Sequence, residues 1–471
     1  MGRHPQGVQP WGNFLLSRRE VRSAGLGALR DLDDHLLLQI LHLVDAHTLT
    51  RASAASRALF CFCMHDELWR ALTLQELQGN FQYSGTWRHT YITSRGLSSQ
   101  EQGNSSLHIQ HFYSDLLYQP WHCATTPLRP QWLERDTLER RSRLSAADFR
   151  HLFEAPNKPV IITDQAQRWP ARKKWTRKYL QKAFKGQTVV AGSYAMSFED
   201  YLAYMDGSAD DMPLYLFDCK FADKAPQLAA DYKVPQQFAE DLFSVLGESG
   251  RPDFRWLIMG PARSGSSFHK DPNATSAWNA VVKGSKKWVL FPPHVVPPGV
   301  HASADGAEVA TPVSLVEWFL NFYEASQEGP VKPVEGIVRA GEVIFVPRGW
   351  WHLAMNLEES IAVTQNFVSS IGLRQCMAFL KTGNPELVSG CLPGKRTNLH
   401  KQFLAALQMS MPEVYQAASE EVCKVAKARG LSSLFSTHAE ELQSMSALEQ
   451  GDGCARKKAR TKNDTGFCFR F

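Results

Sequence analysis

Nine cysteines are scattered through the 471 residues without a single Cys-X2-Cys pair, and their number is odd. That spacing argues against a zinc ribbon and against the disulfide framework of a small secreted domain, so a reducing compartment is expected. A secretory signal and a long apolar run are also lacking, which reads as a soluble, intracellular chain with no membrane partner. Charge of one sign is scarce too: 52 Lys plus Arg against 47 Asp plus Glu leave +5, too mild to establish a nucleic-acid-binding surface. No internal repeat stands out, so a solenoid is not indicated. What the chain does have is 44% hydrophobic and 11% aromatic content, ample for two or three domains and a sizeable core.

The most informative residues are His269 and Asp271 in FHKDPNATSAWN, with His352 as a third candidate ligand. Side chains alternate across an extended strand, so residues two apart face the same way and can hold one ion together. Two histidines and one carboxylate cap one face of an octahedron and leave three positions open, an arrangement suited to non-haem Fe(II). His-X-Asp alone is weak, because an isolated histidine is more often a satisfied core or surface residue. Lys270, between the ligands, points to the opposite face by parity and is expected to be solvated.

The surroundings read as strands. WLIMGPARSGSSFH runs from an apolar stretch through turn residues into the ligand pair. SAWNAVVKGSKKWVLFPP reads as two strands in a tight hairpin about Lys283 and Gly284, GEVIFVPRGWWHLAMN as strand, turn and strand, and IAVTQNFVSS as a further strand. Many short strands punctuated by Gly and Pro imply a mainly β double-stranded β-helix, a jelly roll whose mouth can hold a metal between two sheets.

HKD…GWWH, TSAWNAVVKGSKKW and TQNF together resemble the 2-oxoglutarate oxygenases of the Jumonji C (JmjC) family, within the cupin-like folds. The similarity is greatest to the branch of bifunctional arginine demethylases and lysyl-hydroxylases. KPVIITD, KKWT, PLYLFD and YKVPQQFAEDLF add to it, so it runs from about Leu138 to about Ser370. It implies Fe(II) on His269, Asp271 and His352, with 2-oxoglutarate and dioxygen as co-substrates. A keto acid that chelates iron needs a cation and hydroxyl donors for its far carboxylate. Lys286 stands where the similar branch places its 2-oxoglutarate lysine, and Thr364 where it places a hydroxyl partner. Asn279 and Tyr215 match co-substrate contacts, and Ser266 replaces a threonine. Each has a plainer alternative. Lys287 would be the inward lysine if the register slipped by one, Asn279 could satisfy backbone, Tyr215 could be core, and Thr364 is an ordinary strand former.

The resemblance further implies a protein substrate with basic side chains, such as a histone tail or splicing factor, and oxidation of an arginine N-methyl group or a lysine methylene. Asp218 and Glu342 are candidates for recruiting it, or turn and cap residues. Trp350 and Trp351 would shape the mouth or simply pack, and the loops His301 to Pro312 and Tyr323 to Pro333 would read the substrate.

Outside the 136–395 oxygenase domain, residues 1–24 are expected to be disordered. Residues 25–95 have helical periodicity with the apolar set Leu36, Ile40, Leu43 and Val44 on one face, and ELWR completes what looks like an F-box, the motif that docks on the Skp adaptor of cullin-based ubiquitin ligases. The early proline usual in that motif is absent. A substrate adaptor whose jelly roll only recognises its target is therefore the competing function. Residues 96–135 read as a linker, with Gly96 to Gln110 its low-complexity loop and FYSDLLYQPWHCATTP packing on the oxygenase. Residues 396–450 form a helical appendage that covers the mouth, makes a homodimer or packs on its own chain. The 451–471 tail, with ARKKARTK, is disordered and basic, either a nuclear import signal or a solvated end, and a chromatin or RNA-processing substrate points to the nucleus.

Overall fold

A computed structural model describes residues 3–96, 107–303, 306, 308–382 and 384–428. Fifteen strands occur among them. They are β1 (Arg140–Arg141), β2 (Val160–Ile162), β3 (Thr188–Ala191), β4 (Tyr194–Ser197), β5 (Leu216–Asp218), β6 (Arg255–Gly260), β7 (Gly265–His269) and β8 (Ser276–Lys283). β9 (Ser285–Phe291), β10 (His301–Ala302), β11 (Val309–Ala310), β12 (Val334–Arg339), β13 (Val343–Val346), β14 (Trp351–Asn356) and β15 (Ser360–Phe367) follow.

The major sheet has the order β1-β2-β13-β8-β15-β6-β5-β3-β4 and the minor sheet β12-β9-β14-β7. Every pairing in them is antiparallel except β1 with β2. Helices bury the outer face of the major sheet while its inner face looks across at the minor sheet. β15 is consequently buried along its whole length, its polar residues Ser360, Thr364, Gln365 and Asn366 included. The architecture is that of a cupin-like domain with large antiparallel sheets, consistent with a jelly roll.

The expected hairpin at Lys283 and Gly284 does not form. β8 pairs with β13 and β15, and β9 with β12 and β14, so the chain changes sheets at this corner. Gly284 has φ +75°, and a Cβ there would lie 2.4 Å from the Glu359 carbonyl oxygen. A lysine-glycine pair marks a tight turn equally well in a hairpin or at a sheet-to-sheet corner, and only the partners on either side distinguish the two.

Residues 3–24, expected to be disordered, are folded. Gln9 bridges to Tyr113 with Gln9 N–H on the Phe112 carbonyl (3.0 Å), Trp11 N–H donates to Asp115 Oδ1 (2.8 Å), and Val8 is buried. The supposed linker is likewise structured beyond residue 106. Ser114 caps the helix Asp115–Thr125, and the Arg263 guanidinium donates to the carbonyls of Cys123, Ala124 and Thr126 at its far end (2.8, 2.5 and 2.6 Å). FYSDLLYQPWHCATTP thus packs on the oxygenase as expected. Most of the low-complexity loop, residues 97–106, lies outside the described residues.

The amino-terminal helices Asp34–Leu41, Ala46–Ala55, Arg57–Cys63 and Asp66–Leu77 share one core with the outer face of the major sheet. Asp33, Asp45 and Ser56 cap the first three. The seam is also polar: Trp87 Nε1 donates to Asp210 (3.0 Å), which accepts from the Tyr204 hydroxyl at 2.7 Å. The apolar face expected of the first helix is corrected. Leu37, Leu38 and Leu41 are buried, whereas Leu36, Ile40 and Leu43 are 44%, 45% and 86% exposed; of the expected set Val44 alone packs against the core. Five of that helix's eight residues are Leu or Ile, so periodicity could not choose between two apolar faces, and the helix ends before Leu43.

At the other end, the helices Leu399–Ser410 and Pro412–Ala428 pack on Leu242, Phe243, Val368 and Leu373, with Phe243 and Phe403 rings 4.6 Å apart. The appendage's described part therefore packs on its own chain. Residues 429–450 and the basic tail lie outside the described residues. No described helix is long and apolar enough to cross a membrane.

Candidate metal and co-substrate site

Inward-facing residues of both sheets line one pocket. The major sheet contributes Tyr215, Trp256, Asn279 and Thr364 among others, and the minor sheet Ser266, His269, Lys286, Trp288 and His352. Strand alternation accounts for most of this set: 215 and 217, 256 and 258, 277 and 279, and 364 and 366 are each two apart. Ser266 and His269 are three apart on β7, which alternation forbids. His269 lies opposite His352 and Ser266 opposite Ala354, so three steps on β7 match two on β14, a β-bulge that re-aims both side chains inward.

At one end the ligand atoms of His269, Asp271 and His352 all lie within 4.8 Å of one another, and the two imidazole rings are 4.2 Å apart. His269 Nδ1–H donates to the Ser267 carbonyl (2.7 Å) and His352 Nδ1–H to the Trp350 carbonyl (3.1 Å). Those bonds fix the tautomer that leaves each Nε2 as a lone pair for a metal. Burial holds both imidazoles down at about 4, so they are neutral, the ligating form, at ordinary pH. Burial also lifts Asp271 to about 6. Its Oδ1 accepts from Asn366 Nδ2 (3.2 Å) and its Oδ2 is buried with no protein partner. An orphaned carboxylate oxygen beside two oriented, neutral imidazoles fits a divalent cation.

Elsewhere in the pocket Lys286 donates to the Tyr215 hydroxyl at 2.5 Å and has no carboxylate partner among the described residues. Burial lowers its ammonium to about 7. A buried, unpaired cation of this kind fits an incoming carboxylate. Asn279 Oδ1 and Trp288 Nε1 are buried without partners and line the same pocket, while the Thr364 hydroxyl is held by the Trp278 carbonyl (2.9 Å).

Lys287 is the outward lysine, but it is not solvated. It makes a 2.8 Å ion pair with Glu335 under the outer face of the minor sheet, where Glu335 also accepts from Tyr323 and Gln327. Lys270 is exposed and lies over the Trp351 ring, 4.7 Å from its centre. Trp350 and Trp351 pack rather than line the pocket. Asp218 and Glu342 do not reach it: Asp218 pairs with Lys224 and Glu342 with Arg140. No described residue of either substrate-loop candidate lines it; one holds the β10–β11 hairpin and the other the helix Tyr323–Glu328. Sequence reasoning gave no role to Asn366 and Trp288. Asn366 was legible as the residue two along from Thr364 on the same strand, and Trp288 as the residue two along from Lys286.

With this geometry in view, comparison with known proteins decides the family. A cupin-like domain matches residues 146–372. Arginine-specific demethylase JMJ22 of Arabidopsis thaliana is 50% identical over 415 residues, covering 87% of this chain and 82% of that protein. The chain belongs to the JmjC-type cupin-like oxygenases. Similarity continues to the bifunctional arginine demethylase and lysyl-hydroxylase psr-1 of Caenorhabditis elegans, 37% identical over 307 residues, 61% of this chain and 72% of the relative. It reaches the 2-oxoglutarate and iron-dependent oxygenase JMJD4 of Mus musculus, 26% identical over 272 residues, 52% of this chain and 63% of the relative. As a JmjC-type oxygenase the chain is an enzyme.

Proposed function

We propose that this JmjC-type oxygenase, with Fe(II) and 2-oxoglutarate as cofactor and co-substrate, oxidises arginine or lysine side chains of proteins, by N-methyl-arginine demethylation, lysyl hydroxylation or both. The observation that carries the reading is the convergence, in one pocket between two sheets, of His269, Asp271 and His352 with the unpaired Lys286. His269, Asp271 and His352 hold the iron, which when bound supplies the oxidation of a substrate C–H bond coupled to decarboxylation of the keto acid. Lys286 and the Tyr215 hydroxyl hold the far carboxylate, Asn279 and Ser266 flank the co-substrate, and Thr364 shapes its wall. The substrate carbon presented to the metal decides the product: an oxidised N-methyl group leaves as formaldehyde, whereas an oxidised methylene keeps its hydroxyl. Histone tails and RNA-processing proteins suit a basic target, and the ARKKARTK tail supports nuclear residence.

The test is turnover of 2-oxoglutarate to succinate by iron-loaded protein with mixed histone and splicing-factor peptides, wild type beside His269→Ala and Lys286→Ala. Peptide-stimulated turnover lost in both variants supports the reading. Its absence from folded, iron-loaded wild type sinks it. Mass spectrometry of the peptides separates loss of a methyl group from gain of oxygen.

Docking on a Skp-type adaptor is a compatible second role. The observation in its favour is the exposed row Leu36, Ile40 and Leu43, since solvent-facing leucines in contiguous array commonly mark an interface. Co-purification with the adaptor, lost in Leu36→Asp/Ile40→Asp, tests it. A jelly roll serving only recognition is disfavoured, because a binding module has no use for a complete metal set with its co-substrate lysine.

A further inference from the structure

The chain's small net charge hides a marked asymmetry. Between Gln165 and Ser197 there are eight Lys and Arg residues and no Asp or Glu, more positive charge than the +5 of the whole molecule, so the remainder is net acidic. The segment forms the helices Pro170–Lys174 and Arg177–Ala183 on the outer side of the major sheet. Three of the eight are spent inside the fold: Lys174 pairs with Asp231, Arg177 with Glu359 and Asp206, and Arg172 donates to the Val282 carbonyl. The other five, Arg168, Lys173, Lys178, Lys182 and Lys185, are exposed, and none has a carboxylate partner among the described residues.

Helical geometry arranges them. Leu180 and Phe184 are fully buried on one side of the helix Arg177–Ala183. Lys178 and Lys182 are four apart on the opposite side, with Lys185 a further turn along just past its end. Lys178 and Lys182 are about 6 Å apart along the axis, against a rise of about 3.4 Å per phosphate on one DNA strand, so those two are spaced for roughly every second phosphate. Helix stability explains only part of the pattern. Cations near the end of a helix offset its dipole, which suits Lys182 and Lys185, but Lys178 is in the first turn, where a cation is unfavourable. No large apolar side chain is exposed between Trp169 and Ser197, so the face lacks the residues that would enter a lipid surface.

We propose that this face, the row Lys178, Lys182 and Lys185 with Arg168 and Lys173, binds the phosphate backbone of double-stranded nucleic acid. It lies behind the catalytic pocket, on the other face of the major sheet. Contact there is sequence-independent, because Trp175 is buried and the Tyr179 hydroxyl is held by Asp231, leaving no free aromatic platform for bases. The inference stands apart from the catalytic reading, since these residues touch no part of the pocket.

The experiment is fluorescence anisotropy of the full chain with a labelled mixed-sequence duplex of about 20 base pairs, from about 50 to about 200 mM salt. Wild type is compared with Lys178→Glu/Lys182→Glu, with Lys332→Glu as a control elsewhere, and with Lys457→Gln/Lys458→Gln in the tail. Five contacts give wild type a slope of log affinity on log salt of about −4.5, and the Lys178/Lys182 variant loses about two units of slope and at least about tenfold in affinity. Normal 2-oxoglutarate turnover, or normal circular dichroism should no turnover be found, shows the variant is folded. The proposal is overturned if wild type does not bind, if the variant binds as wild type does, if only the tail variant loses binding, or if poly-glutamate displaces the labelled duplex from wild type as readily as unlabelled duplex does.

Discussion

Replacing Lys286 by methionine should strengthen the ligand-free fold while removing its co-substrate site. Burial brings this ammonium from 10.5 to about 7, which represents about 5 kcal/mol of disfavoured charge at 1.36 kcal/mol per pH unit. Methionine fills much the same volume without a charge, and the offset is the lost hydrogen bond to the Tyr215 hydroxyl, about 1 to 3 kcal/mol once that hydroxyl is left unpaired. The variant should therefore be the more stable by about 2 to 4 kcal/mol near pH 6. The sign with pH follows from linkage. The unfolded chain binds more protons than the folded one between about pH 7 and pH 10.5, so wild-type stability rises across that window and the penalty is fully present below it. Urea unfolding of both proteins from about pH 6 to about pH 10 should show the gap closing as pH rises. A gap that stays constant, or a variant weaker at every pH, would refute the buried unpaired charge. Added 2-oxoglutarate should raise the midpoint of wild type alone, and its affinity should weaken as pH climbs above about 7, because binding then requires Lys286 to take up a proton.

Asn366→Ala should cost about 10- to 100-fold in metal affinity by freeing Asp271, as measured by competition with a chelating dye; unchanged affinity would show that Asp271 needs no such support. Glu335→Gln should destabilise the protein by about 3 to 5 kcal/mol by stranding Lys287, whereas Lys287→Met/Glu335→Leu should fall near wild type. A double variant weaker than the single in urea unfolding would contradict this. Gly284→Ala should lower the melting temperature and the yield of folded protein, since its φ of +75° and a 2.4 Å approach to the Glu359 carbonyl leave no room for a methyl group. Wild-type melting would mean the corner can shift.

Much of the site was legible because its geometry is local. His269 and Asp271 share a face through two-residue parity alone, and Lys286 shares one with Trp288 for the same reason. Similarity to a known family then placed His352, Tyr215, Asn279, Ser266 and Thr364, and the structure gathers all of them into one pocket. Parity fails where the chain departs from regular pairing. Nothing in GSSFH marks the bulge that turns Ser266 and His269 to the same side; it is defined by the register against β14.

Composition and pattern by themselves determined a strand-rich domain, a helical amino-terminal region and a His-X-Asp pair able to share one ion, because each rests on spacing along the chain. The tertiary structure decided what depends on neighbours distant in sequence. It made Gly284 a corner between sheets, and it exposed Leu36 and Ile40 while burying Leu37, Leu38 and Leu41. It ordered residues 3–24 against the strand-like segment before Asp115, and it hid Lys287 beside a glutamate forty-eight residues away. An apolar or charged side chain carries its own transfer free energy, but whether it is covered is set by the element that arrives opposite it, and that element is chosen only when the whole chain has folded.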